Sequence, residues 1–366
     1  MQTNPITQLN LEQAIQLQFK LVDTIQRVFR GRELMDAGDY GITPEWGRPR
    51  ATAKVERVLA DFFGVEEAAL VRGAGTGAMR YALNSLVTPG GKLMVHDAPV
   101  YSTTQNIIAE KGIQLISADM NRPENLSQSI TTGIQAALIQ HSRQKANDQY
   151  AMGVVINAIK SINKLLPVIT DENYTVMKVP AIGAQLGADV SVFSLFKLLG
   201  PEGIGCVVGK AEIIRKIHQM NYSGGSQVQG PEAMEALRSL VYTPVALALQ
   251  ASQVDEIVQR LNRHEIDGVK AAYIANAQSR VVLVEFAVPI AINVLKRAEE
   301  LGAVPYPVGS ESRYEIGAMF YRVSGTFIRE NPDLENYMIR INPMRAGADT
   351  VLRILGEAMD VEQSNI

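Results

Sequence analysis

The chain has 366 residues, 46% of them hydrophobic, and a formal net charge of −3 at pH 7. This size and composition can provide a large apolar core and predict two or more domains. The balanced charge, with no basic block, is not that of a nucleic-acid-binding protein, and no apolar run approaches the roughly 20 residues of a membrane span. We therefore expect a cytoplasmic protein with neither nucleic acid nor membrane as a partner.

Cysteine and histidine are scarce in the chain. The single cysteine, Cys206, excludes an intrachain disulfide and lies in an apolar run, so we predict it in the core. The four histidines have no metal-ligand spacing, so no metal site is predicted.

The first 250 residues are predicted to form an arm and an α/β domain. Apolar residues recur at a helical period over residues 10–30, which predicts an amphipathic helix within an N-terminal arm, residues 1–50. Residues 51–250 alternate β-branched runs with helical patterns, which predicts a large domain with a mostly parallel sheet covered by helices. The predicted strand segments are residues 69–71, 92–95, 113–116, 137–139, 154–156, 190–193 and 205–208.

The remainder of the chain is predicted to form a smaller domain. A long helix is predicted over residues 231–260 and leads into residues 251–366, an α+β C-terminal domain with strands at 280–285 and 337–341.

A glycine-rich turn at residues 73–78 follows a predicted strand and opens a helix. Free backbone amides at a helix start attract a phosphate, so this turn is a candidate anion site. The turn also fits the dinucleotide pattern G-x-G-x-x-A, with Asp97 ending the next strand where that fold places its ribose acid. A nicotinamide-dependent oxidoreductase is therefore one hypothesis, and a purely structural turn is another.

Lys197 ends an apolar strand-like run and faces a second glycine-rich turn. A buried ammonium loses its proton readily, and the free amine is a nucleophile that forms Schiff bases. We therefore interpret Lys197 as the residue that holds pyridoxal 5'-phosphate (PLP), with Ser194 beside it as a phosphate donor. The alternative interpretation is an exposed lysine at a strand end. A serine acyl-transfer enzyme based on Ser194-x-x-Lys197 would need partner motifs that the sequence lacks.

An acidic residue upstream favours PLP over a nicotinamide. Asp171 follows a short apolar run and can pair with a pyridinium nitrogen, which makes the ring an electron sink. A dehydrogenase has no use for that pair. Without Lys197, Asp171 would equally fit a turn or helix-cap aspartate.

The order of these motifs resembles a known superfamily. Gly75-Thr76-Gly77, Tyr101, Asp171 and Ser194-x-x-Lys197 resemble the fold-type I PLP enzymes, the aspartate aminotransferase superfamily, especially its cystathionine-lyase and class V aminotransferase branches. Segments such as residues 74–78, 96–101, 189–194 and 339–343 look similar to the bacterial YhfS-like group. The resemblance implies a mostly parallel seven-stranded sheet, PLP as cofactor, and a homodimer or homotetramer.

The resemblance also implies roles for individual residues. Lys197 would bind the cofactor and then act as the proton shuttle, Asp171 would bind the ring nitrogen, and Tyr101 would stack on the ring. Arg340 would bind the substrate carboxylate, and Arg143, just after a predicted strand, is a further substrate-binding candidate. The residues implied to hold the phosphate are Gly75, Thr76, Gly77 and Ser194.

Two further contacts are expected from a partner subunit. Arg48, with Arg50 as competitor, would reach the neighbour's phosphate, and Ser226 in a glycine-rich loop would do the same unless that loop is a flexible linker. His141 stands where many relatives have an acidic residue or asparagine that tunes the phenolic oxygen of the cofactor, so that role is left unassigned. The expected function is a PLP-dependent enzyme acting on a small amino acid, with transamination favoured over β- or γ-elimination.

Overall fold

The structure is a computed structural model that describes residues 3–223, 225–277, 279–308 and 311–363. The chain divides into two compact units. The large unit comprises Gln13–Ser142 and Gln149–Pro244, and the small unit comprises Met1–Glu12, Arg143–Asp148 and Val245–Ile366. The division into residues 1–50, 51–250 and 251–366 stays a prediction.

The large unit is built on a seven-stranded sheet. Its strands are β1 (Glu67–Arg72), β2 (Lys92–His96), β3 (Gln114–Ala118), β4 (Ile134–Gln140), β5 (Val168–Asp171), β6 (Val190–Ser194) and β7 (Ile204–Gly209). Their spatial order is β1-β7-β6-β5-β4-β2-β3, and β7 runs antiparallel to the other six strands. The predicted fold, a mostly parallel seven-stranded α/β sheet, is confirmed.

Helices cover the sheet on both faces, so its central strands are buried throughout. Cys206 is fully buried in β7, as predicted. The helices in this part of the chain are α1 (Leu11–Val28), α2 (Arg50–Phe63), α3 (Ala74–Leu86), α4 (Ser102–Glu110), α5 (Met152–Ile162), α6 (Ala211–Met220) and α7 (Gly230–Leu261), the last of which contributes to both units.

In the large unit one predicted strand is wrong and one strand was missed, and in the small unit the strands at Val269–Ala277 and Met319–Arg322 were not predicted. Residues 154–156 lie within helix α5, where Val155, Ile156 and Ile159 are fully buried at helical spacing while Val154 is 54% exposed. The β-branched run is thus part of a longer amphipathic helix, whose period decides the structure. The missed strand is β5, which has only four residues and ends at Asp171.

The small unit contains a four-stranded antiparallel sheet, which agrees with the predicted α+β character. Its strands are β8 (Val269–Ala277), β9 (Ser279–Phe286), β10 (Met319–Arg322) and β11 (Met338–Asn342), in the order β10-β11-β9-β8. Its helices are α8 (Ala291–Glu300), α9 (Gly325–Glu330), α10 (Leu334–Tyr337) and α11 (Ala348–Gln363). Apolar residues of β9, β11, α8 and α11 form its main core.

The strand order argues against the dinucleotide hypothesis. The glycine turn follows β1, which is the outermost strand on one side of the sheet, and Asp97 follows β2. Four strands, β7, β6, β5 and β4, lie between β1 and β2. In a dinucleotide-binding fold the corresponding two strands are neighbours. The turn and Asp97 therefore do not belong to one nucleotide site. Within the described residues, no helix is both long and apolar enough to cross a membrane.

Candidate active site

The carboxyl ends of the parallel strands bring the predicted site residues to one edge of the sheet. Asp171 is the last residue of β5, and Ser194 is the last residue of the neighbouring β6. The glycine turn follows β1, which runs parallel to β6 because β7 is antiparallel to both. Ligands of open α/β sheets bind at this edge.

The glycine turn and the loop after Lys197 are joined by their backbones. The amides of Gly73 and Ala74 both donate to the carbonyl of Gly203, at 2.7 and 2.9 Å. A Cβ at Gly205 would lie 2.1 Å from the Ala74 carbonyl oxygen, so β7 can approach the turn only with glycine there. The first-turn amides of Gly75 and Thr76 have no intrahelical partner in a helix that begins at Ala74. These two amides form a candidate anion site.

Two buried polar atoms in this region have no hydrogen-bond partner: Ser194 Oγ and Asn173 Oδ1. Ser194 pairs with Gly205, the residue that contacts the start of the glycine turn. Asn173 Oδ1 lies so close to Gly75 that a Cβ at Gly75 would be 1.9 Å from it. Buried polar atoms are rarely left unsatisfied, so they suggest that a polar group belongs beside the turn.

Asp171 is a buried carboxylate held by one neighbour. Its Oδ1 accepts the backbone N–H of Asn173 at 3.0 Å and the side-chain amide of Asn173 at 2.7 Å. Burial raises the pKa of Asp171, and although Asn173 and the Lys197 ammonium oppose this, the net pKa is raised. Both bonds use Oδ1, so Oδ2 is the oxygen that a cationic ring nitrogen could approach.

Lys197 lies on a tight turn whose backbone is fixed. The amides of Leu198 and Gly200 donate to the Leu195 carbonyl, each at 2.9 Å, and the Thr243 hydroxyl donates to the Leu198 carbonyl at 2.7 Å. The ammonium nitrogen Nζ lies 3.5 Å from the ring centroid of Tyr174 and 5.7 Å from that of Tyr101. The structure therefore brings Lys197, Asp171 and Tyr101 together, whereas their roles stay predictions.

Tyr101 and Tyr174 form an aromatic pair. Their hydroxyl oxygens are 3.3 Å apart and their rings meet edge to face. Burial raises the pKa of Tyr101 far above its usual value, and Tyr174 contributes in the same direction. Tyr101 is thus a neutral phenol at physiological pH.

A second buried carboxylate, Glu172, was not singled out from the sequence. Its Oε2 accepts from His141 Nδ1 at 2.6 Å and from the Thr175 hydroxyl at 2.5 Å, and its Oε1 accepts from the Gly183 amide at 2.8 Å. Burial raises the pKa of Glu172, but His141 and the other donors outweigh it, so the pKa is lowered. His141 therefore binds Glu172, a contact that spacing in the sequence could not show.

Asn173 and Tyr174 were also missed. The available signal was a run of four polar residues, 171–174, directly after an apolar segment. Within the described residues, no group of three or more histidine, cysteine or acidic side chains is placed to hold a metal ion.

The residues predicted to act across a subunit interface have local partners. Arg48 Nε donates to Glu56 at 2.5 Å, and its Nη1 donates to the Trp46 carbonyl at 2.9 Å. The Ser226 hydroxyl donates to the Ser223 carbonyl at 2.9 Å. Gly224 of the same loop lies outside the described residues. The roles of Arg48 and Ser226 toward a partner subunit stay predictions.

Arg340 and Arg143 belong to the small unit. Arg340 is 8% exposed, its Nε donates to the Arg322 carbonyl at 2.7 Å, and its guanidinium carbon lies 4.1 Å from the ring centroid of Tyr321. Arg143 Nη1 donates to the Asn4 carbonyl at 2.7 Å. Their roles in substrate binding stay predictions.

Comparison with known proteins gives the class and then the family. The family model "Aminotransferase class-V" matches residues 48–246, so the chain is a class V aminotransferase-type protein. The model "YhfS-like, C-terminal domain" matches residues 255–355. The chain is 51% identical to the protein YhfS of Escherichia coli (strain K12) over 98% of this chain and 99% of that protein. It belongs to the YhfS family.

Solved structures agree with this assignment. The crystal structure described as the pyridoxal-5'-phosphate dependent protein YhfS from Escherichia coli has 50% sequence identity and a TM-score of 0.96, and covers 99% of this chain and 100% of that chain. A cystathionine gamma synthase from Xanthomonas oryzae pv. oryzae has 17% identity and a TM-score of 0.72, covering 99% of this chain and 100% of that one. The second likeness shows the fold alone.

Proposed function

We propose that this protein is a PLP-dependent enzyme that acts on a small amino acid and transfers its amino group, in preference to eliminating a sulfur-containing leaving group. The cofactor prediction is confirmed by the class V aminotransferase match and by the PLP-dependent relative at 50% identity. The observation that carries the proposal is the placement of Lys197 beside the buried Asp171 and Tyr101 at the carboxyl edge of the sheet.

The residues at this edge fit PLP. The amides of Gly75 and Thr76 and the partnerless Ser194 hydroxyl would hold the phosphate, with Gly77 allowing the tight turn. Asp171 would bind the ring nitrogen. Bound PLP supplies an electron sink for negative charge at the substrate α-carbon.

The chain's own contribution is to hold the cofactor and to move a proton. Lys197 would attach the cofactor and afterwards carry the proton to and from the substrate α-carbon, because its Nζ is the basic atom at the site. Tyr101 would cover one face of the ring. Arg340 would bind the substrate carboxylate, with Arg143 as the second candidate.

The family match supports amino transfer, because the model for class V aminotransferases covers residues 48–246. Amino transfer needs proton movement by Lys197 alone. Burial raises the pKa of Tyr101, so its phenol stays protonated where it would cover the ring.

We also propose that the protein is cytoplasmic and forms a homodimer or homotetramer. The N-terminal part of the large unit exposes Met35 by 83% and Tyr40 by 76%, and Tyr242 on α7 is 68% exposed. Large apolar side chains left in water favour a partner surface. Sedimentation tests this point, because a stable monomer loaded with PLP would contradict it.

The main test is covalent labelling of the cofactor lysine. The purified protein should bind PLP, and borohydride should fix it to Lys197, as peptide mass spectrometry would show. Lys197→Ala should lose the fixed label and the activity. Lys210→Ala is a matched control, because Lys210 pairs with Asp189 before β6, at the opposite edge of the sheet. Labelling of another lysine would refute the assignment.

A panel of amino acids tests the reaction type. Alanine, glutamate, cysteine, homocysteine and cystathionine should be incubated with the holoenzyme, and 2-oxo acid and ammonia measured. The incubations include a second 2-oxo acid as the acceptor of the amino group. The oxo acid of the donor, formed with the amino acid of the acceptor and without ammonia, indicates amino transfer, whereas oxo acid released with an equal amount of ammonia indicates elimination. No product from any of them would contradict both reaction types for these substrates.

A further inference from the structure

Tyr174 is a buried aromatic residue at the candidate active site, and it is not among the residues proposed to hold PLP or to move a proton. It is 5% exposed and lies in the turn that follows β5, three positions after Asp171. The amides of Thr175 and Val176 donate to the Glu172 carbonyl at 3.0 and 3.2 Å, which fixes the turn on the C-terminal side of Tyr174. The ring therefore has a defined position at the carboxyl edge of the sheet.

The Tyr174 ring contacts the Lys197 side chain. Nζ lies 3.5 Å from the Tyr174 centroid, against 5.7 Å for Tyr101. A cation within about 6 Å of a ring centroid is attracted by the negative face of the ring, and the attraction is stronger where water is excluded. Tyr101 stands edge to face with Tyr174, with centroids 6.3 Å apart. The ammonium is thus within reach of two rings, and Tyr174 is the nearer by 2.2 Å (5.7 minus 3.5).

We propose that Tyr174 is a positioning residue for Lys197, whose ammonium it binds on its ring face and so holds Nζ at the carboxyl edge of the sheet. The functional meaning of this contact rests on the proposed function. A lysine released from the cofactor must stay where it can reach the substrate proton, and a four-carbon side chain has many other conformations. Docking on a fixed ring reduces that freedom.

The ring, and not the hydroxyl, is the part of Tyr174 that performs this task. The Tyr174 hydroxyl contacts the Tyr101 hydroxyl at 3.3 Å, whereas Nζ is centred on the ring. Phenylalanine at position 174 should therefore preserve the docking of Lys197. An aliphatic residue should abolish it.

The test measures the reactivity of Lys197 in the absence of cofactor. Full-length protein is freed of PLP, treated briefly with acetic anhydride over a pH series, and the Lys197 peptide is quantified by mass spectrometry. Only the neutral amine reacts, so the midpoint of the pH profile reports how strongly the ammonium is stabilised. With Tyr174→Leu we expect the midpoint to move about one pH unit lower. With Tyr174→Phe it should remain at the wild-type value.

The matched control is Tyr81→Leu. Tyr81 is a partly buried tyrosine on α3 whose hydroxyl contacts Asn221 at 3.3 Å, so the same chemical change is made away from Lys197. It should leave the midpoint unchanged. If Tyr174→Leu fails to fold, pentafluorophenylalanine at position 174 keeps the ring shape and reverses its charge distribution, and it should lower the midpoint as leucine would.

Two results would overturn the role of Tyr174. One is a wild-type midpoint in the leucine or pentafluorophenylalanine variant, and the other is a shift in Tyr174→Phe as large as that in Tyr174→Leu. Borohydride labelling by PLP, measured in the same preparations, separates this proposal from the proposed function. Absent labelling of wild-type Lys197 with an intact midpoint shift refutes the PLP role alone, whereas normal labelling without the shift refutes the role of Tyr174.

Discussion

Asp171 and Glu172 are consecutive buried carboxylates with opposite surroundings. Glu172 accepts three hydrogen bonds, from His141, Thr175 and Gly183, and its pKa is lowered. Asp171 is bonded through Oδ1 to Asn173, and its pKa is raised. Burial acts on both groups in the same direction, so the difference comes from the number of donors and from the His141 charge.

The comparison separates a carboxylate saturated by protein donors from the one proposed to bind the cofactor. Protein groups supply the hydrogen-bond donors of the Glu172 carboxylate. Its bond with His141 joins the residue after β5 to the residue after β4. The Asp171 side has spare bonding capacity, and so has the nearby Ser194 hydroxyl. A site that must bind a ligand cannot be saturated by its own side chains, because ligand binding would then have to break those bonds.

The largest expected effect is on the Asp171 side. Asp171→Asn keeps an oxygen for the two bonds from Asn173 but removes the charge that would hold a ring nitrogen protonated. We expect turnover to fall by roughly 10²- to 10³-fold while PLP remains attached. Asp97→Asn, which alters the residue of the rejected dinucleotide hypothesis, should leave turnover unchanged. Normal turnover in Asp171→Asn would remove Asp171 from the mechanism.

The same substitution should stabilise the PLP-free protein at neutral pH. The pKa of Asp171 is higher in the folded protein than in the unfolded chain, so stability is lost as pH rises through the folded pKa. The amide of asparagine stays uncharged, so it does not incur the cost of ionising a buried carboxyl group. The melting temperature of PLP-free Asp171→Asn should therefore exceed that of the wild type at pH 7, and the difference should vanish at acidic pH, below the unfolded pKa.

The next effect is on the Glu172 side and is one of stability. Glu172→Gln breaks a buried pair with His141, and we expect a loss of about 3 kcal/mol in the free energy of unfolding, measured by urea denaturation. The pKa of Glu172 is lowered in the folded state, so its stabilisation is present above the unfolded pKa and disappears as pH falls through the folded pKa. Glu172→Gln has no carboxylate to protonate at this position, so its stability should not show this decrease as pH falls. Equal stability of variant and wild type would contradict the structural role.

The smallest effect concerns two serines on β6. Ser194→Ala removes a hydroxyl without a partner, so the stability of the PLP-free protein should hold while the affinity for PLP falls about 10-fold. Ser191 is the matched control, because its hydroxyl is buried and bonded to Thr170 at 2.7 Å and to the Ala184 amide at 2.8 Å. Ser191→Ala should cost about 1 kcal/mol of stability and leave PLP affinity unchanged. A loss of stability in Ser194→Ala together with a loss of PLP affinity in Ser191→Ala would contradict this distinction between the two serines.

The sequence predicted the parts of the site that depend on residue type and position along the chain. Lys197 after an apolar run, Asp171 after another, and the glycine turn at residues 73–78 were each visible as local patterns. The structure explains their convergence, because β1, β5 and β6 run in the same direction and end on the same side of the sheet. The contacts of His141 with Glu172 and of Tyr174 with Lys197 join residues on different strands or loops, so no local pattern reports them.

The two errors in the predicted large-unit fold have different origins. The β-branched residues 154–156 favoured a strand by type, but the burial of Val155, Ile156 and Ile159 on one face makes them part of α5. Strand β5 was missed because its four residues are too few to show a period, and its neighbours β4 and β6 define it. The helical period of the apolar residues therefore decided the first segment, whereas strand pairing, which a single sequence does not show, decided the second.

The position of β7 has a consequence for the order in which the molecule forms. Strand β1 is the outermost strand on its side of the sheet, and its strand partner is β7, with Leu70 opposite Cys206. On its other side Val71 forms an isolated bridge with Gln227. During synthesis the glycine turn therefore emerges long before Gly203 and Gly205, which hold it. Contacts between segments so distant in sequence form slowly. The glycine turn, the candidate phosphate site, is thus expected to acquire its shape late in folding, after the central strands have assembled.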